Sequence, residues 1–329
     1  MATFNQLQVE QYLTGVLQNY REMDPAFFVA DRLAPIIPIT SKHGKLAEEG
    51  AEQNYLHVAE RAPGAAPGEV VTSQAAGISY LAVERTIRER VTDEEVAAGQ
   101  ESFGIDVLAQ KALKLAKKLK NIHEAKTTAL FTSVDWFTRV YSSGLGYFAD
   151  YATQVVTLLA GSHWNDNAVD PSDAIDTAKE WFVQNAPFPA THVILSEETW
   201  LAVGANTNYR TEYGDNRDLQ PVAGMLPRWR ELEVVVSRGK FDNQSGGWVP
   251  FLGNHCWVGR LGPLDQSYTS YAGVLQYTGD PVDAVRTYRD ADEGRRSSWV
   301  EATGGTRDYK VLQSGGSTQG YLIRDCKSV

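Results

Sequence analysis

Several short runs in the 329-residue chain carry residue types that chemistry uses. Gly144-Leu145-Gly146-Tyr147-Phe148-Ala149 has the G-x-G-x-x-A spacing of a dinucleotide turn, where glycines let the backbone approach a pyrophosphate. Such a site also needs a parallel strand after the next helix and an acid at its end. The hydrophilic loop NDNAVDPSD follows instead, so the glycines read as a plain turn. His123-Glu124 opens like the zinc motif H-E-x-x-H, but Thr127 stands where the second ligand belongs, and the pair reads as residues of a helix surface. Ser317 misses the nucleophile elbow because Gln319 replaces its glycine. Gly44-Lys45 lacks both the upstream glycine and the following Ser or Thr of a phosphate loop. Asp166, Asp170 and Asp173 lack the turn glycine of a calcium loop and have Pro171 among them, so they read as helix caps.

The remaining chemistry is sparse. The 6 histidines are dispersed, with no pair at ligand spacing. Cys256 and Cys326 are too few for a disulfide framework or a cysteine zinc cage and read as two reduced thiols. No catalytic, cofactor or metal site emerges. The expectation is a non-enzyme with no cofactor, with a nicotinamide-dependent enzyme using Gly144 and Gly146 as the rival from another class.

The elements around these runs are clearer. Val9, Leu13, Val16, Leu17 and Tyr20 fall at helical spacing. Asp24-Pro25 reads as the cap and first residue of a short helix through Leu33, which Pro35 ends, and Ile36, Ile37 and Ile39 suggest a strand. Residues 41–79 are rich in Gly, Ala, Glu and Pro. In the following run Leu81, Val83, Ile87 and Val91 share one face, and Glu84, Arg88 and Arg90 the other, as in one long strand. The two segments together predict a hairpin arm leaving the body. A free arm of this kind is marginal in water, so it needs another subunit to lie on.

Thr92-Asp-Glu-Glu95 is a capping box. Ile105, Leu108, Ala112, Leu115, Leu119 and Ile122 then mark a helix of roughly 40 Å, with lysines on its other faces and Gly104 positioned to interrupt its start. Asp170-Pro171 starts another helix, Thr191–Leu195 is a buried-type strand, Ser196 caps a helix to Gly204, and strands follow near 231–237, 248–261, 309–312 and 320–324. Helices and strands mix without regular alternation, which predicts the α+β class.

Composition bounds the function. The charge is 31 − 41 = −10, which opposes wrapping nucleic acid directly or binding an anionic membrane surface. The first residues show neither a basic nor an apolar leader region, and the most apolar stretch, Val155–Ala160, is too short to span a bilayer. By general scaling, a compact chain of this mass buries about three quarters of its unfolded surface.

The order of these fragments resembles the major capsid proteins of tailed bacteriophages, which have the Hong Kong 97-type fold. FFVADRLAPIIPI resembles the end of the N-terminal arm, and ISYLAVERTIRERVTDEE the extended loop returning to the body. LAQKALKLAKKLKNIHEAKTTALF is similar to the spine helix of the peripheral domain, with Glu124 where the family often carries a glutamate. HWNDNAVDPSDAIDTAKEWF, THVILSEETWLAV, LEVVVSRGKFDN and GNHCWVGRLGP follow the order of the axial domain, and YKVLQSGGSTQGYLIRDC resembles the return to the peripheral domain.

The resemblance implies an N-terminal arm at 1–40, an extended loop at 41–82, a peripheral domain at 83–165 and 287–329, and an axial domain at 166–286. It implies self-assembly into hexamers and pentamers of an icosahedral head in the host cytoplasm, with a separate scaffolding protein, a portal protein, a decoration protein and weakly held double-stranded DNA as partners. Contacts between neighbours are expected at Arg61, Pro63, Gly64, Pro67 and Glu69 of the loop tip, and intersubunit salt bridges at Arg85, Arg88 and Arg90. Lys111, Lys114 and Lys118 are expected to face the interior. An encapsulin-like compartment shell is the alternative within the same fold.

Overall fold

A computed structural model describes residue 14 and residues 28–46, 78–103, 106–133, 154–186, 188–213, 228–242, 247–262, 270–289, 297–314, 317–318 and 320–328. The chain enters through a short helix, α1 (Ala30–Leu33), which buries Ala30 and Leu33. Ala34 is extended because the residue before a proline avoids helical backbone. Strand β1 (Ile36–Ile39) follows at the edge of a sheet, where Pro38, which has no N–H to offer a ladder, is tolerated because one side of the strand is unpaired in that sheet.

Strands β2 (His43–Leu46) and β3 (Ile78–Leu81) pair antiparallel and form the root of the segment 47–77. Strand β4 (Val83–Thr92) then pairs with a much later strand, β14 (Ser297–Val311). The single long strand expected over 80–91 is therefore broken at Ala82. Ala82 is buried and donates its N–H to the Lys42 carbonyl at 2.7 Å. Most of the run belongs to the body and not to an arm. Its apolar face divides accordingly: Val91 is buried against the spine helix, while Leu81 is 63% and Val83 51% exposed.

Helix α2 (Asp93–Phe103) begins with the expected capping box. The Glu95 N–H donates to Thr92 Oγ1 at 3.2 Å, and the Thr92 N–H donates to Glu95 Oε2 at 3.0 Å. The spine helix α3 (Val107–Thr132) has 26 residues, about 39 Å at 1.5 Å each. Asp106 caps it by accepting from the Ala109 N–H. Ala112, Leu115 and Leu119 pack on Val91, Val285, Val300 and Ala302.

The second half supplies β5 (Val155–Thr157), α4 (Pro171–Asn185), β6 (His192–Ser196), α5 (Glu197–Ala205), α6 (Thr207–Tyr213), β7 (Arg228–Trp229), β8 (Leu232–Ser237), β9 (Lys240–Asp242), β10 (Trp248–Pro250), β11 (Cys256–Gly259), β12 (Ala272–Tyr277) and β13 (Ala284–Arg289). After β14 come β15 (Gln313–Ser314), β16 (Ser317–Thr318) and β17 (Gly320–Arg324). Asp170 and Ser196 cap α4 and α5 as expected.

Two main sheets result. One has the order β1-β12-β14-β13 with β4 added on β14, and the other the order β5-β17-β11-β6-β8-β7. Sheet membership follows pairing and not chain order. Strand β12 joins β1 and β14, and β17 joins β11 and β5, so the sheets cross the domain boundaries drawn from the sequence.

Period-two alternation sorts the second sheet's side chains. Val193, Leu195, Val234, Cys256 and Val258 face an aromatic core with Trp164, Trp181, Trp200 and Trp229. Ile194, Val235, Trp257 and Leu322 face a core shared with α1, the end of α3 and β12. That second core joins the two halves of the molecule. Asn206, buried between α5 and α6, donates to the carbonyls of Trp164, Asp166 and Val169 at 2.9–3.0 Å and so shapes the loop leading to α4.

Candidate assembly surfaces

The entry segment is fastened to the spine helix by side chains rather than by ladders. Glu124 is fully buried; its Oε2 accepts the Ala30 N–H at 2.9 Å and its Oε1 the Val29 N–H at 3.2 Å. One turn of α1 exposes these two N–H groups, and a carboxylate satisfies both. Burial pushes the Glu124 carboxyl up to about 7, against the pull of the two backbone donors. Next to it, His123 Nε2 meets Asp31 Oδ1 at 3.0 Å and His123 Nδ1 meets the Tyr309 hydroxyl at 2.9 Å.

The sequence placed His123 and Glu124 on a helix surface. Both are buried, because α1 and β14 cover that turn of α3. Thr127, where a zinc ligand was missing, is buried beside them. Thr14 Oγ1 accepts the Val285 N–H at 3.2 Å, which joins Thr14 to β13. The rest of the helix expected over 9–20 lies outside the described residues.

The outer face of β4 is dressed from within the same chain. Arg88 stacks over Trp299 at 4.6 Å and donates to the Tyr288 hydroxyl at 3.3 Å. Tyr288 in turn donates to Glu301 at 3.4 Å. Arg90 lies opposite Trp299 in the ladder and is exposed. Arg85 is half-buried on the inner face, its guanidinium 5.1 Å over the Tyr309 ring.

Lys111 and Lys114 converge on Glu89 Oε1 at 2.7 and 3.0 Å, while Lys118 stands exposed. Burial pushes the Glu89 carboxyl up, and the two ammonium groups more than offset it, leaving it below the usual carboxylate range. Arg61, Pro63, Gly64, Pro67 and Glu69 lie outside the described residues, as does the Gly144–Ala149 run.

The exposed apolar side chains are a feature that sequence reasoning missed. Besides Leu81 and Val83 at the hairpin root, Trp248 of the β9–β10 hairpin is 71% exposed. Its signal in the sequence is the polar turn 242–247 between Phe241 and Trp248, which marks a projecting hairpin. The two cysteines are free and buried in the aromatic core. Burial pushes both thiols up, and for Cys326 the nearby Cys256 adds to the effect. No described helix is long and apolar enough to cross a membrane.

No family model and no curated protein matches the chain in sequence. Solved structures match its fold. A crystal structure of a phage-related protein from Bordetella bronchiseptica is 21% identical, with a TM-score of 0.66 and 96% of both chains covered. The capsid structure of the cyanophage P-SCSP1u is 12% identical, with a TM-score of 0.54 over 89% of this chain and 86% of that one. A virus-like particle from Pyrococcus furiosus is 9% identical, with a TM-score of 0.50 over 96% and 98%. The chain therefore has the α+β, Hong Kong 97-type fold of capsid shells.

Proposed function

We propose that the chain is the major capsid protein of a tailed double-stranded DNA bacteriophage, assembling into hexamers and pentamers of an icosahedral head. The observation that carries this is a capsid fold matched over 96% of the chain by a phage-related protein. Two features support it. Leu81 and Val83 leave apolar surface at the root of the 47–77 segment. In a closed symmetric assembly a neighbouring copy covers such surface. The charge of −10 suits a wall that confines DNA without gripping it.

On this account the loop tip around Arg61, Pro63, Gly64, Pro67 and Glu69 crosses to a neighbour, and the outward Arg88 and Arg90 meet its acidic groups. Lys118 keeps its charge for the interior. A portal, a scaffolding and a decoration protein complete the head. Light scattering of the purified full chain tests the proposal: a mass of many subunits supports it, and a monomer under all assembly conditions contradicts it.

A second reading, a compartment shell without a genome, is favoured by the match to the virus-like particle from Pyrococcus furiosus. Particle contents separate the two. Packaged double-stranded DNA identifies a virion head, and protein cargo identifies a compartment.

A further inference from the structure

The ladder between β4 and β14 slips at one place. Thr86 pairs with Thr303 and Glu84 with Thr306, so Gly304 and Gly305 together oppose Arg85. Gly305 takes up the slip with φ of +87°. A side chain on Gly304 would point at Leu119 of α3, its Cβ 3.4 Å from the Leu119 Cδ2. With glycine there, a cleft of about 40 Å³ remains between the sheet and the spine helix. Its polar lining comes from Arg85, Lys120, His123, Arg307, Tyr309, Asp31 and Asp283. One water needs roughly 10–15 Å³ on this measure, so the cleft holds about three, the size of a carboxylate or a sulfate.

The two guanidinium groups make the cleft more than a void. Arg307 is only 5% exposed and spends its Nε on Gln276 Oε1 at 3.0 Å. Its Nη2, like the Nε of Arg85, is buried with no hydrogen-bond partner among the described residues. No ion pair joins either arginine to a carboxylate among those residues. Asp31 is turned to His123 at 3.0 Å, and Asp283 sits in a left-handed turn with φ of +50°. A buried guanidinium N–H without an acceptor is costly, and its planar fork matches an oxyanion in shape and charge.

We propose that this cleft is an oxyanion site, which takes a carboxylate or a sulfate-sized anion between Arg85 and Arg307. The anion is either a free ion or an acidic side chain of a second copy of the chain. The site is built by the single chain and stands whether or not a shell forms.

The test is calorimetric titration of sodium sulfate into the full chain at constant ionic strength. Wild type binds sulfate saturably, R307Q loses about tenfold or more in affinity, and G304V, which fills the cleft without changing charge, does not bind. R85Q serves if R307Q fails to fold. Binding by the unassembled chain but not by the assembled form assigns the site to a second copy's carboxylate. Binding by both assigns it to a free ion. Absence of saturable binding by the unassembled chain, or equal binding by wild type and the variants, overturns the proposal.

Discussion

Glu124 and Ala30 lie 94 positions apart in the chain and meet at 2.9 Å, carboxylate to backbone N–H. This contact fixes where the entry segment joins the spine helix, and it does so with a group whose charge changes near neutral pH. Burial raises the carboxyl from 4.5 to about 7 despite the donors from Ala30 and Val29. A raised folded value means that the folded state holds the proton more tightly than the unfolded one. The associated stability is therefore complete below pH 4.5 and is lost as pH rises towards 7, to the extent of about 3 kcal/mol. E124Q cannot titrate, so the stability of wild type relative to E124Q should fall by that order between pH 4.5 and pH 8. Urea melts of both proteins at the two pH values measure it, and a constant difference would contradict the assignment.

Glu89 should behave in the opposite sense. Its carboxyl is held low by Lys111 and Lys114, so its contribution is present above about pH 4.5 and disappears as pH falls below. E89Q should cost about 1 kcal/mol at pH 7 and less at pH 3. Chemical denaturation at both pH values checks the pair.

Asn206 directs its amide at three carbonyls, those of Trp164, Asp166 and Val169, and its Oδ1 accepts the Asn208 and Tyr209 N–H groups. N206A removes all five of these hydrogen bonds, leaving the Asp166 carbonyl only the Val169 N–H, and should cost about 2–4 kcal/mol. A loss under about 0.5 kcal/mol in a urea melt would show that water replaces the amide.

At Gly305 the φ of +87° favours glycine, and a Cβ would lie 3.1 Å from Val282 Cγ2. G305A should therefore destabilise the protein by about 1–3 kcal/mol. Thermal melts of G305A give the size. An unchanged melting temperature would mean that the slip in the β4–β14 ladder is absent.

Much of the local structure was legible in the sequence because its causes are local. The capping box at Thr92, the caps at Asp170 and Ser196 and the three-four spacing of Leu108, Ala112, Leu115 and Leu119 each act within a few residues. What was not legible depends on distant partners. The alternation from Leu81 to Val91 is continuous, and only the pairing of 83–92 with 297–311 and of 78–81 with 43–46 reveals the break at Ala82. His123 and Glu124 look like surface residues until α1 and β14 cover them. The oxyanion cleft needs two adjacent glycines to meet Arg85 across a ladder joining strands some 220 residues apart, about which spacing says nothing.

At the root of the hairpin, Leu81 and Val83 are exposed in the single chain. L81S with V83T should leave the subunit's melting temperature within about 2 °C of wild type, since exposed positions carry little stability. The same double variant should fail to assemble. Assembly at the wild-type level would remove this surface from the interface.

The central claim is that many copies of this chain close into a shell. Negative-stain electron microscopy of the purified full chain tests it most directly. The account predicts icosahedral particles, tubes or hexameric rings. A field of separate monomers that persists across pH, salt and protein concentration would contradict it.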